Sequence, residues 1–138
     1  MHETPLSFRR LAAFSLCTGL LAWPITAEDP TALRAVELEV CQEIVDFGCQ
    51  GTDRAFGPNV EIVAFLTRID GATGTAFVEH VWTQDGKEVR RVRLPIRTSS
   101  YRTWSKKRIK GSPGKWRAEV LDPIGRSLGA VDFVVRGG

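Results

Sequence analysis

Thr75-Ala-Phe-Val-Glu-His-Val-Trp-Thr-Gln84, Asp85-Gly86 and Lys87-Glu-Val-Arg-Arg-Val-Arg-Leu-Pro-Ile96 follow one another without a break. An Asp-Gly pair between two extended runs is a strong hairpin signal, because a two-residue turn of the favoured hand needs positive φ at both positions. After the turn, Val92, Leu94 and Ile96 alternate with Arg91, Arg93 and Arg97. That period of two belongs to a strand with one buried and one wet face. Pro95 cannot donate to a ladder, so this second strand is expected at a sheet edge or about to leave its sheet.

The same pattern extends both ways. Upstream, Val36, Leu38 and Val40 alternate with Glu37 and Glu39. Val60 to Ile69 is apolar on both parities, as befits a strand that is central in its sheet or covered by a loop. Downstream, Ser100 to Ile109, Lys115 to Leu121 and Ser127 to Val135 are further strands, separated by Gly111-Ser112-Pro113-Gly114 and Asp122-Pro123-Ile124-Gly125. Trp116, Ala118 and Val120 share the inward parity. No segment after the N-terminus shows a convincing helical period. About seven short strands at intervals of roughly eight to twelve residues predict an all-β fold, an antiparallel immunoglobulin-like β-sandwich.

A 138-residue chain with 43% hydrophobic and 25% charged residues is of ordinary globular composition, and one domain is the expected count. Residues 1–27 read as a signal peptide: Arg9-Arg10 precede the apolar run Leu11 to Trp23, and Ala27 offers a small residue for cleavage. Thirteen apolar residues are too few to span a bilayer as a helix, so no transmembrane anchor is expected after cleavage. The mature chain, residues 28–138, is then a single β-sandwich domain, periplasmic or secreted. Cleavage removes Cys17 and leaves Cys41 and Cys49. An even pair in an oxidising compartment is expected to form a disulfide, and its spacing matches no redox or zinc motif. Gly48, Gly51, Asp53 and Gly57-Pro58 make Cys41 to Gly57 a cross-linked excursion between strands, with Ile44, Val45 and Phe47 expected to pin it down.

Charge is unevenly spread. Lys87 to Arg117 holds twelve basic residues against the single acid Glu88, whereas Glu28 to Gly86 holds three against eleven acids. Strands from the two blocks lying side by side would pair much of this charge across the sheet.

His80-Val81-Trp82, the Asp85-Gly86-Lys87 turn, Arg102-Thr103-Trp104-Ser105-Lys106-Lys107 and Gly114 through Leu128 together resemble the bacterial family known as domain of unknown function 2914. The resemblance runs from about Ala32 to Val135 and rests chiefly on the motif residues His80, Trp82, Ser105 and Trp116. Tyr101 and Lys106 depart from the family pattern, and the two cysteines are no part of it. The family implies a small exported or membrane-associated β domain with no assigned activity, and it brings no catalytic residues.

Chemistry has few handles. After cleavage His80 is the sole histidine, and no nucleophile elbow exists to pair with it. It is read as a hydrogen-bonded structural residue; no catalytic residue, metal or cofactor is expected. Asp70, Asp85 and Asp122 stand in turns, where turn chemistry explains them. The basic tract is the sharper candidate. Strict alternation puts Trp104 on the charged face between Arg102 and Lys106, as an aromatic platform flanked by cations, unless a bulge re-aims it or cation stems roof it. If the preceding strand is its neighbour in one sheet, Arg91 and Arg93 join that patch. The expected function is a non-catalytic exported binding or interaction module whose basic aromatic face takes anionic glycan, lipid headgroup or acidic envelope protein, with nucleic acid ranked below these. The alternative is a structural accessory domain of an envelope assembly pairing through an exposed edge strand; an enzyme ranks last.

Overall fold

The computed structural model describes Gly19 and residues 32–138; the signal-peptide expectation for residues 1–27 lies outside the described residues apart from that glycine. Seven long strands carry the fold: β1 (Arg34–Cys41), β5 (Ile62–Asp70), β6 (Ala76–Gln84), β7 (Lys87–Ile96), β8 (Ser100–Arg108), β9 (Gly114–Leu121) and β10 (Ser127–Val135). Three short ones, β2 (Glu43–Val45), β3 (Gly48–Gln50) and β4 (Ala55–Phe56), lie between β1 and β5. One sheet has the order β1-β5-β8, the other β4-β10-β9-β6-β7, and β2-β3 form a separate hairpin. All pairings are antiparallel except that of β4 with β10. The protein is an all-β sandwich.

The two large sheets close on an aromatic seam. Phe65 of β5 meets His80 and Trp82 of β6, Trp82 meets Phe133 of β10 edge-on, and Phe133 stacks on Trp116 of β9 with ring centroids 6.0 Å apart. Val40, Val63, Val78, Val120 and Val131 fill the space around the rings. The inward parity read for β9 holds. At the Asp85-Gly86 turn both φ angles are positive, 48° and 82°, as the hairpin requires.

Strand β5 is central in its sheet and buried on both faces. Val63, Phe65, Thr67 and Ile69 point into the core, while Ala64 and Leu66 on the outer side are covered too, and the β2-β3 hairpin packs over β1 and β5. The Cys41–Cys49 disulfide is present, with 5.6 Å between the Cα atoms.

Three expectations are corrected. A bulge between Ala35 and Glu37 shifts the parity of β1 by one, so Ala35 faces in and Val36 is 45% exposed. Phe47 does not anchor the excursion in the core; it sits at the hairpin tip, 66% exposed. Most consequential for the candidate site, β7 and β8 are not paired in one sheet. The chain crosses from one sheet to the other between them, β7 pairing with β6 and β8 with β5.

Candidate functional site

Strand β8 is an edge of its sheet, and its two faces differ in kind. Thr103, Ser105 and, just past the strand, Ile109 are buried; Arg102 and Lys106 are exposed, and Trp104 is half-buried between them. No bulge intervenes, because β5 and β8 pair in unbroken register from Ile62↔Arg108 to Asp70↔Ser100. The outward position read for Trp104 is therefore where it stands.

Register then fixes what lies beside it. Across the outer face, Glu37, Arg68 and Arg102 form one row, Glu39, Leu66 and Trp104 the next, and Cys41, Ala64 and Lys106 a third. Arg102 Nε donates to the Glu37 carboxylate at 3.0 Å, spanning the central strand. Arg108 donates to Glu61 at 2.7 Å. Trp104 receives a second aromatic: Phe47, from the hairpin tip, lies edge-to-face with centroids 5.8 Å apart. A cleft of about 530 Å³ opens here, lined by Phe47 and by Tyr101, Arg102, Thr103 and Trp104.

The hairpin places Phe47. Asp46 and Phe47 have φ of 50° and 61°, the two left-handed positions of a two-residue hairpin turn. The Cys41–Cys49 bond ties the returning strand β3 to the end of β1. Sequence reasoning missed Phe47 as a site residue. The available signal was an Asp-Phe-Gly tip inside a loop closed by two cysteines, which exposes its aromatic.

Arg91 and Arg93 do not share this surface. They stand on the outer face of the other sheet, opposite Val81 and Glu79 of β6, because the crossover sends β8 to the far side of the sandwich. The expected five-residue patch is thus divided: Arg102, Trp104 and Lys106 stand together, and the other two are elsewhere. There Arg91 binds Glu88 at 2.6 Å and Glu79 at 3.3 Å, and Arg93 reaches Glu79 at 3.8 Å. Hydrogen bonds to Glu88 and then Glu79 hold the Arg91 guanidinium above its ordinary range.

The motif residues form a buried polar chain. Trp82 Nε1 donates to Ser105 Oγ at 3.0 Å, Ser105 Oγ lies 2.8 Å from His80 Nδ1, and His80 Nε2 lies 3.0 Å from Thr67 Oγ1. Thr67 in turn donates to the Thr103 carbonyl at 3.5 Å. Assigning the proton to Nε2 lets every donor be used once, from Trp82 to Ser105 to His80 to Thr67 to Thr103. Burial lowers the His80 pKa from 6.5 to about 3, since a charged imidazole would be stranded in the core. His80 and Ser105 lie within hydrogen-bond reach of each other, and His80 is fully buried with both ring nitrogens engaged, by Ser105 and Thr67. Trp116 is buried as well, its Nε1 bonded to the Ser112 carbonyl. Among the described residues no group of three or more His, Cys, Asp or Glu side chains is placed to hold a metal, and no helix is long and apolar enough to cross a membrane.

Fold and site together define a small disulfide-bonded β-sandwich with an aromatic and basic edge strand. Residues 76–135 match the family described as Protein of unknown function (DUF2914), and over this span the resemblance carried by the His80-Trp82 and Trp104-Ser105 motifs is borne out. The match runs from the first residue of β6 to the last of β10; β1, β5 and the disulfide hairpin lie outside it. No curated protein matches the chain. Among solved structures, that of a mutant beta-glucosidase from Listeria innocua in complex with laminaribiose is similar at a TM-score of 0.45 and 8% identity. That alignment covers 77% of this chain, which spans 16% of the other's length.

Proposed function

We propose that this protein is a non-catalytic binding module of the cell envelope, exported to the periplasm or beyond, that holds anionic material on the outer face of β8. One observation carries the reading: Trp104 stays half-exposed beside a second exposed aromatic, Phe47, with Arg102 and Lys106 on either side. Burying aromatic area is the usual sink for such side chains, and solvent-facing aromatic pairs flanked by cations suit ligands with negative charge and a flat or apolar body. Export is supported by the Arg9-Arg10 and Leu11 to Trp23 pattern and by a disulfide suited to an oxidising compartment. N-terminal sequencing of the protein from its own envelope should begin at Glu28; a chain retaining Met1 in the cytosol would remove the basis of the proposal.

Binding is tested with dextran sulfate as a polyanion, followed by tryptophan fluorescence. Affinity should fall steeply from low to physiological ionic strength, because exposed charges are screened within about 8–10 Å. Trp104→Ala should abolish most of it, whereas Arg91→Ser with Arg93→Ser, on the opposite face, should leave it unchanged. Equal loss from the two sets would return the site to a diffuse basic surface.

A further inference from the structure

We propose that the free edge of β8 takes up an extended acidic segment of a partner protein as an added β-strand, whose apolar side chain sits in the cleft beside the Phe47–Trp104 pair. This rests on the binding role proposed above and names its ligand.

The backbone of β8 shows which groups are available. At one end of the ladder Ile109 N–H donates to the Glu61 carbonyl at 2.9 Å, and at the other Gly71 N–H donates to the Ser99 carbonyl at 2.9 Å. Hydrogen-bonded pairs recur at every second residue of an antiparallel ladder. The odd-numbered residues of β8 therefore turn their backbone groups to β5, and the even-numbered ones turn theirs outward. Side chains cap both ends of the outward row: Thr98 Oγ1 donates to the Ser100 carbonyl at 2.8 Å, and Lys107 Nζ to the Arg108 carbonyl at 3.0 Å. Between the caps, Arg102, Trp104 and Lys106 present N–H and C=O groups that meet no partner among the described residues.

Other edges are blunted. β7 carries Pro95 and a register break opposite Trp82 and Thr83, β1 is bulged at Val36, and β4 is two residues long. These are the devices that keep edges from pairing. β8 runs nine residues in unbroken register without proline.

The cleft follows the same edge. It is lined by four consecutive residues of β8, Tyr101 to Trp104, and so reaches the margin of the strand beside Trp104. Phe47 closes it from a left-handed backbone, φ 61°. For a bulky side chain that conformation is costly, and such strain gathers at ligand clamps.

Charge selects the occupant. A second copy of β8 paired antiparallel about Trp104 would set Arg102 against Lys106 of the partner subunit, an unfavourable like-charge pair. A segment with acids two residues either side of an apolar residue reverses both contacts. β-addition of this type gains affinity from main-chain bonds and specificity from alternate side chains.

The test uses the full chain, isotope-labelled, and a blocked threonine peptide bearing a central phenylalanine with a glutamate two residues to each side. On binding, hydrogen exchange at the Arg102, Trp104 and Lys106 amides should slow by at least about tenfold, while the Thr103 and Ser105 amides, already bonded to β5, stay as they were. The same peptide N-methylated at the donors that face β8 should bind at least about tenfold more weakly. Equal binding of the methylated peptide, or even-numbered amides left unprotected, overturns strand addition; the binding role then survives only if Trp104→Ala still abolishes the complex. Binding of dextran sulfate without the peptide assigns the cleft to a polyanion and overturns the inference alone. Failure of both ligands overturns both proposals.

Discussion

At Ser105 a single hydroxyl serves two rings from the other sheet, accepting from Trp82 and donating to His80. Removing it leaves an indole N–H and an imidazole nitrogen unpaired in the core, so Ser105→Ala should destabilise by about 1–3 kcal/mol in urea denaturation. His80 sets a pH dependence. The folded protein keeps it neutral down to about pH 3, whereas the unfolded chain protonates it near 6.5. Between these values the unfolded state binds the extra proton, so stability is lost as pH falls through that window and is indifferent to His80 above it. The loss should reach roughly 3 kcal/mol at pH 4 relative to pH 7.5. Denaturation curves at both pH values test this, and a His80→Gln variant should lose this share of the slope. The tryptophans separate by face. Trp116→Ala should cost about 3–5 kcal/mol, Trp104→Ala far less; a comparable cost at Trp104 would make it core. Phe47→Gly should relieve its left-handed backbone by about 1 kcal/mol while weakening ligand binding.

Among the elements, the β2-β3 hairpin links redox state to the site. The disulfide closes a short loop and should stabilise by about 2–3 kcal/mol on the chain-entropy estimate. It also holds the hairpin whose tip carries Phe47. Reduction should therefore loosen Phe47 from Trp104 and red-shift Trp104 emission before the sandwich melts; a spectrum unchanged by reduction would show that packing over β5 suffices. Thiol titration of denatured mature protein should find no free cysteine. What was legible in the chain follows the same division between local and distant. The Asp85-Gly86 turn, the two-sided burial of β5 and the outward Trp104 depend on a few adjacent residues, and alternation reports them. The three residues between Ile96 and Ser100 can either turn a hairpin or cross to the other sheet, and alternation in β7 and β8 is identical in both cases. Hence the sequence could place Arg91 and Arg93 on a wet face without saying which one. The bulge at Val36 was hidden for a related reason, since a bulge breaks the period on which the reading depends.

Across the whole molecule the acidic and basic blocks meet as the uneven charge distribution suggested. Glu37 faces Arg102, Glu61 faces Arg108 and Glu79 sits between Arg91 and Arg93; Arg117 is held by Asp132, from beyond both blocks. This pairing crosses strands in both sheets, so the +11 tract is not a bare basic surface, and Lys106 stands beside Trp104 without an acid in contact among the described residues. The arginines of these pairs are 40–66% exposed, and pairs so open to solvent contribute about 0–1 kcal/mol each. Raising ionic strength should accordingly weaken each pair by no more than about 1 kcal/mol, and the set by a few kcal/mol at most, since screening weakens contacts that were worth little. Anionic ligand binding at β8 should respond far more strongly, because a polyanion is drawn to the exposed Arg102 and Lys106 side chains by charge interactions in water, which salt screens. Parallel salt titrations of urea midpoint and of dextran sulfate affinity measure the two responses. If stability fell as steeply as affinity, the cross-strand pairs would be a main support of the fold rather than a neutralising layer, and weakened binding at high salt would reflect unfolding instead of screening at Trp104.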